Sequence, residues 1–183
     1  MGKRISACLI LLLSAILIIV PIYHSTHYGR AIEETAAVRD FIVPPDGIIF
    51  IDPEAVALAG TIDMADPRID KVIADINEQR AGAGLSALTK KTDLVAAATV
   101  RAKEQEQLFS HTRPNGQDWW TVNSNVCYGE CLSKGYSPEN VTIAWMNSPT
   151  HKAVIMDGSY KTVGIGIYTT DAGIVYIALE TGY

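Results

Sequence analysis

The chain has 183 residues, room for one domain of ordinary size plus a leader. Its formal net charge of −5 and pI near 5.3 argue against a nucleic-acid partner, because phosphates demand a basic face and no run of Lys and Arg supplies one. Hydrophobic residues make up 48% of the chain, a share raised by the first two dozen positions, and the remainder has the composition of a globular protein.

In chain order, Lys3 and Arg4 stand before an uncharged apolar run, Ile5 to Tyr23. This is an export signal. Its length suits a short span and no Ala-x-Ala cleavage pattern follows, so residues 1–23 are expected to remain as an N-terminal hydrophobic helix with Lys3 and Arg4 inside; a cleaved signal peptide is the alternative. Residues 24–65 read as an extracytoplasmic stalk or linker, broken by Pro44-Pro45-Asp46-Gly47 and Asp52-Pro53. The apolar runs on either side of the first turn form a small hairpin or pack on the domain that follows. Cys8 lies in the apolar run, which leaves Cys127 and Cys131 in a compartment where thiols oxidise. A disulfide between them is expected, with Gly129 supplying the tight turn it needs. The rival arrangement is a zinc site made by both cysteines with His111 and His151.

Residues 66–183 carry the domain. Asp66-Pro67 is a helix start, and Ile69, Val72, Ile73 and Ile76 continue at helical spacing to a stop near Gly82. A second, alanine-rich helix is marked by Leu94, Ala97, Ala98, Arg101, Ala102, Gln105, Leu108 and Phe109, and its small residues predict close packing. Trp119 to Val122 reads as a short strand. Ser137-Pro138-Glu139 opens a third helix that turns Val141, Ala144 and Trp145 inward, and Ser148-Pro149 opens a fourth. The period then changes to that of two strands, Thr162 to Tyr168 and Ile174 to Leu179, joined through Asp171-Ala172-Gly173. Helices followed by antiparallel strands make an α+β layered domain.

Four segments in order resemble the CAP superfamily of cysteine-rich secretory, antigen 5 and pathogenesis-related proteins, and especially its bacterial branch. Asn77-Glu78-Gln79-Arg80 with Gly84-Leu85-Ser86-Ala87-Leu88 resembles the first helix and its connection. Phe109-Ser110-His111-Thr112-Arg113-Pro114-Asn115-Gly116 looks like the "FSH..P.G" segment, and Gly129-Glu130 falls at "GEN". Trp145 to Lys152 resembles "W..SPGH", and Tyr160 to Gly166 the "Y..VGVG" strand. The resemblance implies an α-β-α sandwich with a central antiparallel sheet. It also implies a cleft in which His111, Glu130 and His151 meet. Three positions depart from the family pattern: Ser148 stands where animal members carry a second glutamate, Cys131 replaces the Asn of "GEN", and Thr150 replaces the Gly of "SPGH".

Two imidazoles and a carboxylate suit Zn²⁺ or another divalent ion, with His111, Glu130 and His151 as the ligands the resemblance implies. The competing view is a hydrogen-bonded cluster without metal. The expected function is a ligand-binding or interaction module taking a lipid, glycan or peptide in a cleft lined by His111, Glu130, His151, Trp120 and Tyr128, with the membrane reached through the N-terminal segment. The alternative is a metal-dependent hydrolase using the same cleft. No catalytic residue is assigned: Glu130 cannot be at once a tight ligand and a free base, and Ser110 beside His111 is not placed to be activated by it.

Overall fold

The computed structural model of the protein describes residues 50–59 and 66–183. The apolar run Ile5 to Tyr23, with the anchoring helix expected there, lies outside the described residues. Among the described residues no helix is long and apolar enough to cross a membrane. The elements are α1 (Pro53–Ala59), α2 (Pro67–Gly82), β1 (Thr89–Lys90), α3 (Thr92–Glu104), a 3-10 turn (Trp119–Val122), β2 (Gly129–Lys134), α4 (Val141–Met146), α5 (Pro149–Ile155), β3 (Thr162–Thr169) and β4 (Val175–Gly182).

Helix α2 begins where the sequence places it. Asp66 Oδ1 accepts the Arg68 N–H at 2.9 Å, which satisfies one of the donors a helix leaves free in its first turn, and Pro67 has no donor to satisfy. Two residues of the Asn77-Glu78-Gln79-Arg80 motif are structural. Asn77 brackets Leu88 with two hydrogen bonds: its Nδ2 donates to the Leu88 carbonyl, and its Oδ1 accepts the Leu88 N–H. The buried Arg80 guanidinium donates to the carbonyls of Ser86, Ile155, Asp157 and Tyr160, so it staples α2 to the end of α5.

The sheet runs in the order β1-β3-β4-β2, with β3, β4 and β2 antiparallel and β1 a short parallel addition at the edge of β3. Side chains alternate between its faces. Cys131, Val163, Ile165, Ile177 and Leu179 join Ile69, Val72 and Ile76 of α2, Trp145 of α4 and Ile155 of α5 in the larger core. On the other face Leu132 and Ala178 meet Ala98 and Ala102 of α3. Helical layers on both sides of a sheet are the expected α-β-α sandwich. Helix α3 approaches the sheet so closely that a Cβ on Gly164 would stand 2.0 Å from the Leu94 carbonyl carbon, and one on Gly166 2.1 Å from that of Ala98. Trp145 is core, as expected, and its indole N–H donates to the Leu132 carbonyl at 3.1 Å.

Four local readings are corrected. Helix α3 stops at Glu104 instead of running to Phe109, because the Gln105 side chain folds back to accept the Ser110 N–H at 2.9 Å and starts a loop. Trp119–Val122 is a 3-10 turn, not a strand. Helix α4 starts at Val141, after a turn through the Ser137-Pro138 signal. The last correction concerns the cysteines. Gly129 to Cys131 is extended strand, not a turn, and Cys127 and Cys131 are free, buried thiols in separate clusters, Cys127 with Leu94, Ala97, Val100 and Val122, Cys131 in the larger core. A strand advances about 3.3 Å per residue, and a bridge needs α-carbons within about 7 Å. The expected disulfide is therefore not formed, and the same separation dismantles the rival two-cysteine zinc site. Burial pushes both thiols well above their usual range, which suppresses the thiolate.

Of the segment read as a stalk, residues 50–59 are packed on the domain. Ile51 bridges Asn123, and Ala55 is buried in the cluster with Leu94.

Candidate functional site

The site is built at the C-terminal end of α3, where the Arg101 side chain is fully buried against β2. Its Nε donates to Glu130 Oε2 at 2.6 Å and its Nη2 to Oε1 at 3.2 Å; Nη1 reaches Glu104, and Nη2 also donates to the Ser110 carbonyl at 2.8 Å. Burial alone draws the Arg101 guanidinium toward neutrality, but Glu130 and Glu104 outweigh it and raise its pKa, so it stays charged. Glu130, with 1% of its side chain exposed, then accepts from His111 Nδ1 at 2.7 Å. A carboxylate only accepts, so Nδ1 carries the proton, and Nε2 is an acceptor whenever the ring is neutral. The His111 ring itself is 57% exposed.

His151, half-buried on α5, lies within electrostatic reach of His111. Burial first, and His111 second, hold its pKa below the usual histidine range. A loop and a strand thus bring His111 and Glu130 into direct contact, with His151 on a helix within electrostatic reach of His111. The two aromatic residues expected to line the cleft have other contacts. The Trp120 ring meets Phe50 edge-on at 5.9 Å and packs on the Leu94 cluster. Tyr128 packs on Tyr183 at 4.7 Å between ring centroids, and its carbonyl accepts the Tyr160 hydroxyl at 2.7 Å. Phe109, two residues before His111 in the chain, is half-exposed, with its ring 6.4 Å from that of Tyr176.

One further carboxyl lies behind the site. Glu180 on β4 is directly opposite Glu130 on β2, fully buried, and neither of its oxygens has a hydrogen-bond partner among the described residues. Burial, then the Glu130 charge, push its pKa well above the carboxylate range, against the pull of Arg101; the Cys127 thiol is its other polar neighbour. The folded chain therefore keeps a proton that the unfolded chain loses above about pH 4.5, and stability falls as pH rises from there toward the folded value. Glu180→Gln removes this titration while keeping the shape. Its melting temperature relative to the parent is expected to rise progressively over the range above about pH 5, where the unfolded chain would otherwise release the proton. A margin constant across that range would show that Glu180 ionises as it does in the unfolded chain.

Both Glu130 oxygens are occupied, by Arg101 and His111, and the nearest charge is a buried guanidinium. Among the described residues no group of three or more His, Cys, Asp or Glu side chains is disposed to hold a metal ion. Sequence reasoning missed Arg101, Glu104, Arg113 and Glu180. The available signal was a charged residue on an otherwise apolar stripe, at Arg101 in α3 and at Glu180 after the apolar run of β4.

A three-layer α-β-α domain with a His-Glu pair at the edge of an antiparallel sheet defines the class. The profile of the cysteine-rich secretory protein family, CAP, matches residues 73–179, and the chain belongs to that family. It is 32% identical over 106 residues to the uncharacterized protein YkwD of Bacillus subtilis, covering 52% of this chain and 40% of YkwD. The match thus spans about two-fifths of that relative's length. An outer surface protein from Borrelia burgdorferi superposes with a TM-score of 0.58 at 22% identity, over 66% of this chain and 95% of the Borrelia chain. An extracellular SCP-domain protein from Bacillus anthracis superposes with a TM-score of 0.51 at 15% identity, over 63% of this chain and 40% of that one. These superpositions establish the fold.

Proposed function

We propose that the protein is an extracytoplasmic ligand-binding or interaction module, tethered to the membrane or exported by its N-terminal apolar run. The observation that carries this reading is the state of Glu130. Its oxygens are taken up by Arg101 and His111, which holds a solvent-facing imidazole in one orientation. Such a group recognises. His111 Nε2 can accept from a polar donor while half-exposed Phe109 offers a ring to an apolar body, a pairing suited to an amphipathic lipid, glycan conjugate or peptide. The extracellular and outer-surface descriptions of the Bacillus anthracis and Borrelia proteins support the same compartment.

The test uses full-length protein without a histidine tag. It is expected in the carbonate-resistant membrane fraction and, after detergent extraction, to retain an organic ligand stoichiometrically and unconverted in native mass spectrometry. His111→Gln and Phe109→Ala should each weaken retention about tenfold. Both should leave the melting temperature within about 2 °C, since both positions are exposed. Turnover of a peptide or ester dependent on His111 would replace the binding reading with the hydrolase, and saturable zinc binding lost in His151→Ala would add a metal ion to the module. A chain starting near His24 in the medium would replace the anchor with a cleaved signal.

A further inference from the structure

Residues 50–59 lie before the part of the chain that defines the family, yet they are fastened to the domain at several points. Phe50 and Ser124 exchange two hydrogen bonds, Phe50 N–H to Ser124 Oγ and Ser124 N–H to the Phe50 carbonyl, each 2.8 Å. The Asp52 N–H donates to the Val122 carbonyl at 2.8 Å, the Phe50 ring meets Trp120, and Ala55 is buried on α3. The Asp52 carboxylate has two tasks. Oδ1 accepts the Glu54 N–H at 2.8 Å and caps α1, while Oδ2 takes Nη2 of Arg113 at 2.5 Å.

Arg113 is what makes this contact matter to the site. Its side chain is only 3% exposed, two residues after His111, and it also grips Glu104 through Nε and Nη2. Glu104 in turn holds Arg101, and Arg101 holds Glu130 and the Ser110 carbonyl. The loop that carries His111 is therefore pinned on both sides of the imidazole, at Ser110 by Arg101 and Gln105, and at Arg113 by Glu104 and Asp52. Take Asp52 away and Arg113 keeps a single carboxylate partner, Glu104, which it already shares with Arg101. A buried charge that loses a partner has no cheap alternative inside the protein, so the loop segment bearing it shifts outward toward water.

We propose that Asp52 is a positioning residue for the candidate site: the strap of residues 50–59, when seated, holds the His111 loop in its binding arrangement through Arg113. The functional part of this statement rests on the binding reading above, while the mechanical part does not. Release of the strap loosens His111 without disturbing β3 or β4.

Amide hydrogen exchange on the full-length protein tests this without any ligand. Asp52→Asn keeps the helix cap, since Asn caps as well as Asp, and removes only the charge that faces Arg113. Exchange across residues 109–118 is expected to accelerate about tenfold or more, with β3 and β4 unchanged, and Asp52→Glu should restore most of the protection. Phe50→Ala unseats the strap from a point remote from Arg113 and should accelerate both the strap and the loop. The proposal is overturned if the strap exchanges faster while residues 109–118 do not. It is equally overturned if Asp52→Asn accelerates the whole domain uniformly or leaves the loop untouched. Because no ligand is present, these outcomes stand apart from those of the retention experiment.

Discussion

Arg101→Ala is expected to lower the stability of the domain by about 3–5 kcal/mol, because it leaves the buried Glu130 carboxylate uncompensated and strips Glu104 and the Ser110 carbonyl of a donor. Spread over a domain of this size, that is a fall of roughly 10–25 °C in melting temperature. The loss should be largely a penalty on Glu130 and not the worth of the pair itself. Arg101→Met combined with Glu130→Gln is therefore expected to be less damaged than Arg101→Ala alone, although two changes have been made. Calorimetric melting of the three proteins checks this. A single-variant loss under about 1 kcal/mol would mean that Arg101 and Glu130 do not form the buried pair described above.

Gly164→Ala is expected to cost about 3 kcal/mol or more. The new methyl carbon would lie 2.0 Å from the carbonyl carbon of Leu94, 2.2 Å from the Val95 nitrogen and 2.3 Å from the Leu94 oxygen. All three are backbone atoms, which cannot swing aside as a flexible side chain does, so the helix itself must lift from the sheet. Because α3 carries Arg101 at its far end, the displacement should reach the site: protection of the His111 loop should fall together with the melting temperature. Against a total stability that for domains of this kind is on the order of 5–15 kcal/mol, the loss is severe. Equilibrium denaturation measures it, and a midpoint indistinguishable from the parent would show that α3 is not seated as closely on β3 as the structure places it.

The sequence was most informative where a periodic pattern and a local stop signal agreed. Asp66-Pro67 marks the start of α2, the alanines of α3 announce its close seat on the sheet, and Gly173, with φ at +77°, closes the predicted hairpin. It was least informative where a tertiary contact overrides the pattern. Leu108 and Phe109 keep helical spacing with α3, yet Gln105 ends the helix by bonding to Ser110, and both apolar side chains emerge on the surface. At Cys127-Tyr128-Gly129-Glu130-Cys131 the glycine suggested a turn, but the same glycine packs flat in a strand beneath Thr181, Tyr160 and Val154. The pairing of His111 with Glu130 was expected only from the family resemblance, since residues on separate elements carry no spacing signal. What orients them, the guanidinium of Arg101, was in plain view on the inner stripe of α3. No local pattern tells a buried ion pair from a surface one, because the partner lies on another element.

The indole N–H of Trp145 on the Leu132 carbonyl has a consequence for the protein in a crowd. Strand β2 is a margin of the sheet, and an open margin is a template on which another chain can add a strand. Here the main chain of that margin is buried from Gly129 to Ser133 and one of its carbonyls is already occupied. The opposite margin, β1, is two residues long, too short to seed a lasting ladder. The covered length of β2 thus gives a neighbouring copy little purchase, which guards that margin against edge-to-edge self-association even where tethering to a surface would raise the local concentration.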